Sequence, residues 1–169
     1  MGYGRNIKAY NRENAVEYAH KWAFDRNPLY LDFENLGGDC TNFASQVILA
    51  GSLVMNYTPI YGWYYKDSSN RTASWTGVDF LYNFLINNKG NGPFGIEVNE
   101  GGVQPGDIIQ LSFGGGESFG HSPVVVSAGH PVRLDNILIA AHTYDRDYYP
   151  ITNYRWTNIR FIHILGVRV

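Results

Sequence analysis

The only cysteine of the 169-residue sequence lies in the stretch GGDCTNFASQ, which covers residues 37–46. The apolar residues after Cys40 recur at helical spacing, so the thiol is predicted in the first turn of a helix. Unpaired backbone N–H groups and the helix dipole favour a thiolate there, which is typical of a cysteine nucleophile. Cysteine is also among the most buried residue types, so a structural role for Cys40 accounts for the same pattern.

A cysteine nucleophile needs a base that accepts and returns its proton, and histidine titrates in the suitable range. His121 opens the apolar run HSPVVVSA, and His142 closes the run ILIAAH. If these runs pair as an antiparallel hairpin, the start of one lies beside the end of the other, so we expect His121 and His142 to be neighbours. The remaining histidines are assigned surface or structural roles: His20, His130 and His163.

Two neighbouring histidines could instead bind a metal ion, with Asp107, Asp145 or Asp147 completing the ligand set. Zinc takes three or four protein ligands, commonly from HExxH or from closely spaced Cys and His residues. The sequence contains neither pattern. We therefore predict a site without a metal ion or another cofactor.

The charged residues are balanced, with 13 Lys and Arg against 15 Asp and Glu and a formal net charge of −2. They form no long blocks, which argues against nucleic acid or an anionic membrane surface as a partner. No apolar run reaches the roughly 18 residues of a membrane span, and the first residues lack the features of a signal peptide. One cysteine cannot form an internal disulfide, so the composition does not indicate a compartment.

The predicted elements change in character along the chain. Apolar residues at intervals of three and four predict helices over residues 11–24 and 40–50, the second with Gly51 as its C-cap, and a third helix near residues 78–85. After residue 95, runs rich in Ile and Val predict strands with hairpin-length connections. This order predicts one α+β domain over residues 1–169, with N-terminal helices packed on one side of a small antiparallel sheet.

Several stretches resemble the putative amidase domain family, a branch of the papain-like cysteine hydrolases related to the NlpC/P60 and CHAP cell-wall enzymes. They extend from about Tyr10 to Asp145; GDCTNFASQ is the most specific, and PGDIIQL, GHSPVVVS and ILIAAHTYD are weaker. The resemblance implies a papain-like fold, with a helix-start cysteine packed against a sheet that carries the histidine. It implies Cys40 as the nucleophile, His121 as the general base, and His142 as the third residue, which orients the base.

The resemblance leaves two parts of the site open. Asp145 or Asn153 could take the place of His142, because related families use carboxylates or amides as the third residue. The backbone N–H of Cys40 would help to bind the oxyanion. Its partner would come from the residues that shortly precede the cysteine: Asn35, Asp39 or Tyr30.

Five further polar and aromatic residues are candidates near the substrate. Asn42 and Gln46 follow the cysteine on its helix, where their amides either lie near the substrate or fix the helix start through local hydrogen bonds. Trp63, Tyr64 and Trp75 could form the wall of a sugar or peptide groove, since aromatic faces suit both ligands. Packing in the core is the equal alternative for these rings.

The resemblance implies hydrolysis of an amide bond in bacterial peptidoglycan, either between muramic acid and L-alanine or within the stem peptide. Cys40 would attack the carbonyl, and water would hydrolyse the resulting thioester. We expect peptidoglycan or its peptide fragments as the partner, action outside the cell or in its wall, and a parent chain or delivery system for targeting. The alternatives are a cysteine acyltransferase or peptidase on another amide, a catalytically silent wall-binding module, and a zinc amidase.

Overall fold

The helices precede most of the sheet, as the periodicity of the apolar residues predicts. A computed structural model of the protein describes residues 6–169. The described α-helices are α1 (Arg12–Trp22), α2 (Cys40–Ser52), α3 (Ala73–Thr76) and α4 (Val78–Asn87). Asn11 caps α1 by accepting a hydrogen bond from the backbone N–H of Asn14 at 3.0 Å. Within residues 6–169, no helix has the length and apolar content that crossing a bilayer requires.

The prediction that Gly51 ends the second helix is wrong. Gly51 lies inside α2, and Leu53 forms the C-cap in the left-handed conformation with a φ of 57°. A Cβ atom at residue 51 would collide with the ring of Tyr10. Glycine is therefore required here for the close approach of a side chain rather than for helix termination.

The strands form one large antiparallel sheet and a separate hairpin. The described strands are β1 (Ile7–Lys8), β2 (Tyr65–Asp67), β3 (Asn70–Arg71), β4 (Gly92–Val98), β5 (Ile108–Ser112), β6 (Val124–Ala128), β7 (Ile137–Ala141), β8 (Arg146–Pro150) and β9 (Asn158–Arg168). The large sheet has the order β1-β9-β5-β6-β7-β8, with β4 also paired to β9, whereas β2 and β3 pair with each other. The predicted α+β class and antiparallel sheet are confirmed.

Two apolar layers lie on opposite faces of the large sheet, because successive side chains of a strand point to opposite sides. On one face, Ile108, Val124 and Ala140 belong to the same buried cluster as the apolar residues of α1, α2 and α4. On the other face, Leu111 and Val125 belong to a second buried cluster. It includes apolar residues from the connections before β5, between β6 and β7, and after β8. The helices therefore cover one face of the sheet, as the sequence predicts.

Candidate active site

Cys40 is the first residue of α2 and lies where the helix start meets the segment before β6. Its Sγ lies 4.0 Å from the carbonyl oxygen of Gly120 and 3.8 Å from Oγ1 of Thr41. The Thr41 hydroxyl in turn lies 3.1 Å from the Ser122 hydroxyl. Cys40 is only 7% exposed, but its immediate neighbours are polar, which distinguishes it from a cysteine packed in an apolar core.

His121 lies in the same segment, between Gly120 and Ser122, whose backbones contact the sulfur of Cys40. The side chain is 6% exposed, and its Nε2 lies 3.2 Å from the hydroxyl of Tyr154. The two rings meet edge to face with centroids 5.3 Å apart. Within residues 6–169, the thiol of Cys40 and the imidazole of His121 share no direct hydrogen bond. The structure therefore brings Cys40 to the backbone that carries His121, without a bond between the two side chains.

Burial shifts both titratable groups toward their neutral forms. Desolvation raises the pKa of the Cys40 thiol, and the negative charge of Asp39 acts in the same direction. The Thr41 hydroxyl and the backbone N–H groups of Thr41 and Ser122 act to lower it, but burial outweighs them. Desolvation also lowers the pKa of His121 to about 4. Both pKa shifts favour a neutral thiol beside a neutral imidazole and oppose the effect of the helix start on the thiol.

His142 lies on the opposite face of the sheet from His121. The register of the β6–β7 hairpin, continued past its last pair, puts His142 across from Ser122 rather than His121. His121 forms a bridge with Leu111, which belongs to the apolar layer away from the helices. An offset of one residue reverses the face, so the hairpin separates the two histidines that the sequence placed together.

His142 is fully occupied by other partners. Its Nδ1 lies 2.5 Å from a carboxylate oxygen of Asp39, and its Nε2 lies 2.7 Å from the carbonyl oxygen of Trp22. Its ring stacks on Phe43 of α2 with centroids 4.1 Å apart. Both ring nitrogens are thus bound to oxygens at 1% side-chain exposure. His142 does not orient His121; it ties the end of α1 to the residue before Cys40.

Asp39 anchors the start of α2 and is not an oxyanion donor, because a carboxylate only accepts hydrogen bonds. Besides His142, it accepts hydrogen bonds from the backbone N–H of Phe33 at 2.8 Å and from the side-chain amide of Asn42 at 2.9 Å. Its own backbone N–H donates to the hydroxyl of Thr143 at 3.1 Å. The carboxylate is fully buried, so these contacts fix the backbone immediately before the cysteine.

The other candidates for the third residue and the oxyanion site lie elsewhere. Asp145 forms two hydrogen bonds with Arg26, at 2.9 and 3.0 Å. Asn35 and Asn153 are exposed, and Tyr30 stacks on the ring of a core tryptophan. Arg26, which no motif or spacing indicates, also lies 3.7 Å from the buried Asp39 carboxylate. Four acidic residues between positions 25 and 39 were the available signal: Asp25, Asp32, Glu34 and Asp39.

Of the two alternatives for the aromatic candidates, the two tryptophans follow core packing and not the substrate groove. Trp63 and Trp75 have no exposed area, and their rings lie 4.8 Å apart in the core. Asn42 accepts a hydrogen bond from the indole of Trp75 at 2.9 Å, and Gln46 accepts one from Tyr18 at 2.7 Å. Both amides are thus used within the protein. Tyr64 is half-buried on the outer surface, where the ammonium group of Lys66 lies 5.8 Å from its ring.

The carboxylates considered as metal ligands are paired separately. Asp107 lies 2.7 Å from the ring of His163 and 2.8 Å from a guanidinium nitrogen of Arg12. Asp147 lies 2.9 Å from His20. In the part of the chain that the structure describes, no three His, Cys, Asp or Glu residues are arranged to hold a metal ion.

Residues 9–165 match the family model described as Putative amidase domain. The chain belongs to this family. It is also 36% identical over 146 residues to the uncharacterized protein YhbB of Bacillus subtilis (strain 168). That alignment covers 85% of this chain but only 44% of the relative, so the chain spans less than half the length of the relative. No solved structure matches the chain.

Membership of the amidase domain family indicates an amide hydrolase, and the start of α2 has donors suited to that chemistry. Hydrolysis of an amide develops negative charge on the carbonyl oxygen, which backbone N–H groups at a helix start can stabilise. Among the described residues, the Asp39 side chain makes no capping hydrogen bond to the first turn of α2. Its oxygens are used by Phe33, Asn42 and His142 instead. The Asp39 side chain therefore leaves the first N–H groups of this amidase domain's second helix without a cap.

Proposed function

We propose that this domain hydrolyses an amide bond of bacterial peptidoglycan, with Cys40 as the nucleophile and His121 as the general base. One observation carries the proposal. The sulfur of Cys40 lies at a helix start against the backbone of Gly120 and Ser122, the two residues that flank His121. The amidase family supplies the reaction class, and the helix-start cysteine against a histidine-bearing antiparallel sheet supports the papain-like relationship.

The protonation states favour proton transfer during attack rather than before it. His121 removes the thiol proton as the sulfur adds to the amide carbonyl, and it gives that proton to the nitrogen as the C–N bond breaks. Water then attacks the thioester while His121 takes its proton, and the departing sulfur recovers the proton. A neutral resting pair can carry out this sequence because neither group has to begin as an ion.

The uncapped start of α2 would bind the oxyanion formed in each addition step. The backbone N–H of Cys40 is the first donor, since it belongs to the nucleophile itself. In other hydrolases, loss of one such donor lowers the rate by about 10²–10³-fold. The fixed backbone of Asp39 therefore has a functional consequence, because it sets the direction of the N–H group that follows it.

The surface around the cysteine supports a peptide or sugar substrate. Leu36 and Tyr144 are 67% and 82% exposed, and they lie next to the loops joined through Gly38, Asp39 and Thr143. Exposed apolar and aromatic side chains next to the residues that precede Cys40 and contact Thr143 suit the short side chains of a peptide stem and the faces of sugar rings. The chain's net charge of −2 would not attract an anionic polymer, so contact would depend on these side chains.

Digestion of purified peptidoglycan tests the proposal. The wild-type domain should release new amines that mass spectrometry assigns to one bond, and C40A and H121A should release none. H130A removes an exposed histidine and is the matched control, which should retain wild-type activity. An intact wall after wild-type digestion would refute the peptidoglycan substrate. Undiminished turnover by C40A would refute the thiol mechanism, and loss of activity with a chelator would indicate a metal-dependent amidase instead.

A further inference from the structure

We propose that Tyr154 is the positioning residue for His121 and takes the role that the family resemblance assigned to His142. The proposal rests on the proposed function, because it assumes that His121 is the base. It assigns the third position of the site to a residue outside the β6–β7 hairpin. Tyr154 follows the 3₁₀ turn Ile151–Asn153, which comes directly after β8.

The contact with His121 is direct and well placed. The hydroxyl of Tyr154 lies 3.2 Å from Nε2 of His121. Within residues 6–169, the His121 ring makes no other hydrogen bond, so its Nδ1 is left to accept the thiol proton. A base that is held at one ring nitrogen and works through the other is the arrangement that a cysteine–histidine pair requires.

The position of Tyr154 is itself fixed by packing. Its backbone N–H donates to the carbonyl of Ile151 at 3.1 Å, and Ile151 is fully buried. Its ring meets that of Tyr149 edge to face at 5.3 Å and lies 6.3 Å from that of Phe113. The hydroxyl is therefore presented to His121 by a held ring rather than by a free loop.

A phenol at this position has consequences that a carboxylate would not have. Burial raises the pKa of Tyr154, so the hydroxyl stays protonated. A neutral hydroxyl accepts a hydrogen bond from Nε2–H and leaves the Nδ1 lone pair as the base. It adds no negative charge, so it does not favour the imidazolium as a carboxylate would. The lowered pKa of His121, about 4, agrees with this environment.

The competing candidates cannot reach the ring of His121. His142 is bound by Asp39 and the carbonyl of Trp22, and Asp145 is bound by Arg26. Tyr154, by contrast, contacts the His121 ring both through its hydroxyl and through the edge-to-face packing of its own ring.

The variant Y154F tests the proposal because it keeps the ring and its packing but removes the hydroxyl. We expect kcat on peptidoglycan to fall about fivefold with KM unchanged, since one neutral hydrogen bond contributes about 1 kcal/mol. The ¹⁵N NMR shifts of the His121 ring should change from mainly the Nε2–H tautomer to a mixture. Y148F, which removes the hydroxyl of an exposed ring stacked on His20, is the matched control and should change neither.

The two proposals fail in different ways. If wild type is active and H121A is inactive, but Y154F retains the wild-type kcat and tautomer, the role of Tyr154 is refuted and the proposed function stands. If the wild type does not cut peptidoglycan, the proposed function fails, and the tautomer of wild type and Y154F still decides whether Tyr154 sets the ring. An equal loss of thermal stability and activity in Y154F, with an unchanged tautomer, would identify a merely structural residue and refute the proposal.

Discussion

The pH dependence of folding offers a direct test of the neutral imidazole inferred for His121. In the folded protein desolvation lowers the pKa of His121 to about 4, against an ordinary value of 6.5. The unfolded chain therefore takes up a proton near pH 6.5, whereas the folded chain does so only near pH 4. Stability is thus fully present above the unfolded value and is lost as the pH falls through the interval between the two.

The size of this effect follows from the same two values. Each unit of pKa difference corresponds to about 1.4 kcal/mol, so His121 should lower the free energy of unfolding by about 3 kcal/mol between pH 7 and pH 4. The variant H121Q removes the titrating group and keeps an amide of similar length. The free energy of unfolding of H121Q should therefore not fall through the titration of residue 121. The difference in the free energy of unfolding between wild type and H121Q should shrink as the pH falls.

Urea unfolding at pH 7.5, 6.5, 5.5 and 4.5, followed by tryptophan fluorescence, measures the difference. Titration of the carboxylates contributes to both proteins and cancels in the subtraction. H130Q, which loses an exposed histidine, controls for the removal of one imidazole. A constant difference would show that His121 is solvated in the folded state. A difference that grows toward low pH would show a stabilised imidazolium, as in a thiolate–imidazolium pair, and would refute the neutral pair.

Two further predictions concern Cys40 and its support. Because burial raises the pKa of the Cys40 thiol, iodoacetamide should modify it more slowly than a free thiol at pH 6, and the rate should rise only at alkaline pH. Rapid modification at pH 6 would contradict this prediction. So would an equal rate for the same chain unfolded in urea. D39A should lower the free energy of unfolding by about 3–5 kcal/mol, since it leaves His142 buried without its partner. D39N should cost clearly less, because its amide can donate to Nδ1 of His142 and still accept from the backbone N–H of Phe33. Equal losses in urea unfolding would contradict the assigned contacts.

Much of the local framework could be predicted from the sequence. The glycine pair followed by apolar residues at helical spacing predicts the start of α2 at Cys40, and that start is where the structure has it. The runs of Val and Ile predict the β6–β7 hairpin, which the structure confirms. These features depend on neighbours within a few residues, so composition and spacing are sufficient to find them.

The composition of the site could not be predicted in the same way. Tyr154 has no distinctive spacing from Cys40 or His121, and only the turn after β8 brings its hydroxyl to the imidazole. The nearest sequence signal is its neighbour Asn153, an amide side chain that is exposed.

The location of Trp63 and Trp75 could not be predicted either. An aromatic cluster in a sequence does not reveal whether its rings face a cleft or the core.

The sequence by itself determined the three longer helices, the main strands after residue 95, the helix-start cysteine and the resemblance to the amidase family, because these follow from residue type and short-range spacing. Only the tertiary structure decided that His142 forms a hydrogen bond with Asp39 and not with His121. The reason is that one position along a pleated strand reverses the face on which a side chain lies. Tertiary packing also buries Cys40 and His121, and this burial favours the neutral form of each. The charge of Cys40 and His121 depends on how much water reaches them, and burial is a property of the packed chain rather than of any local stretch.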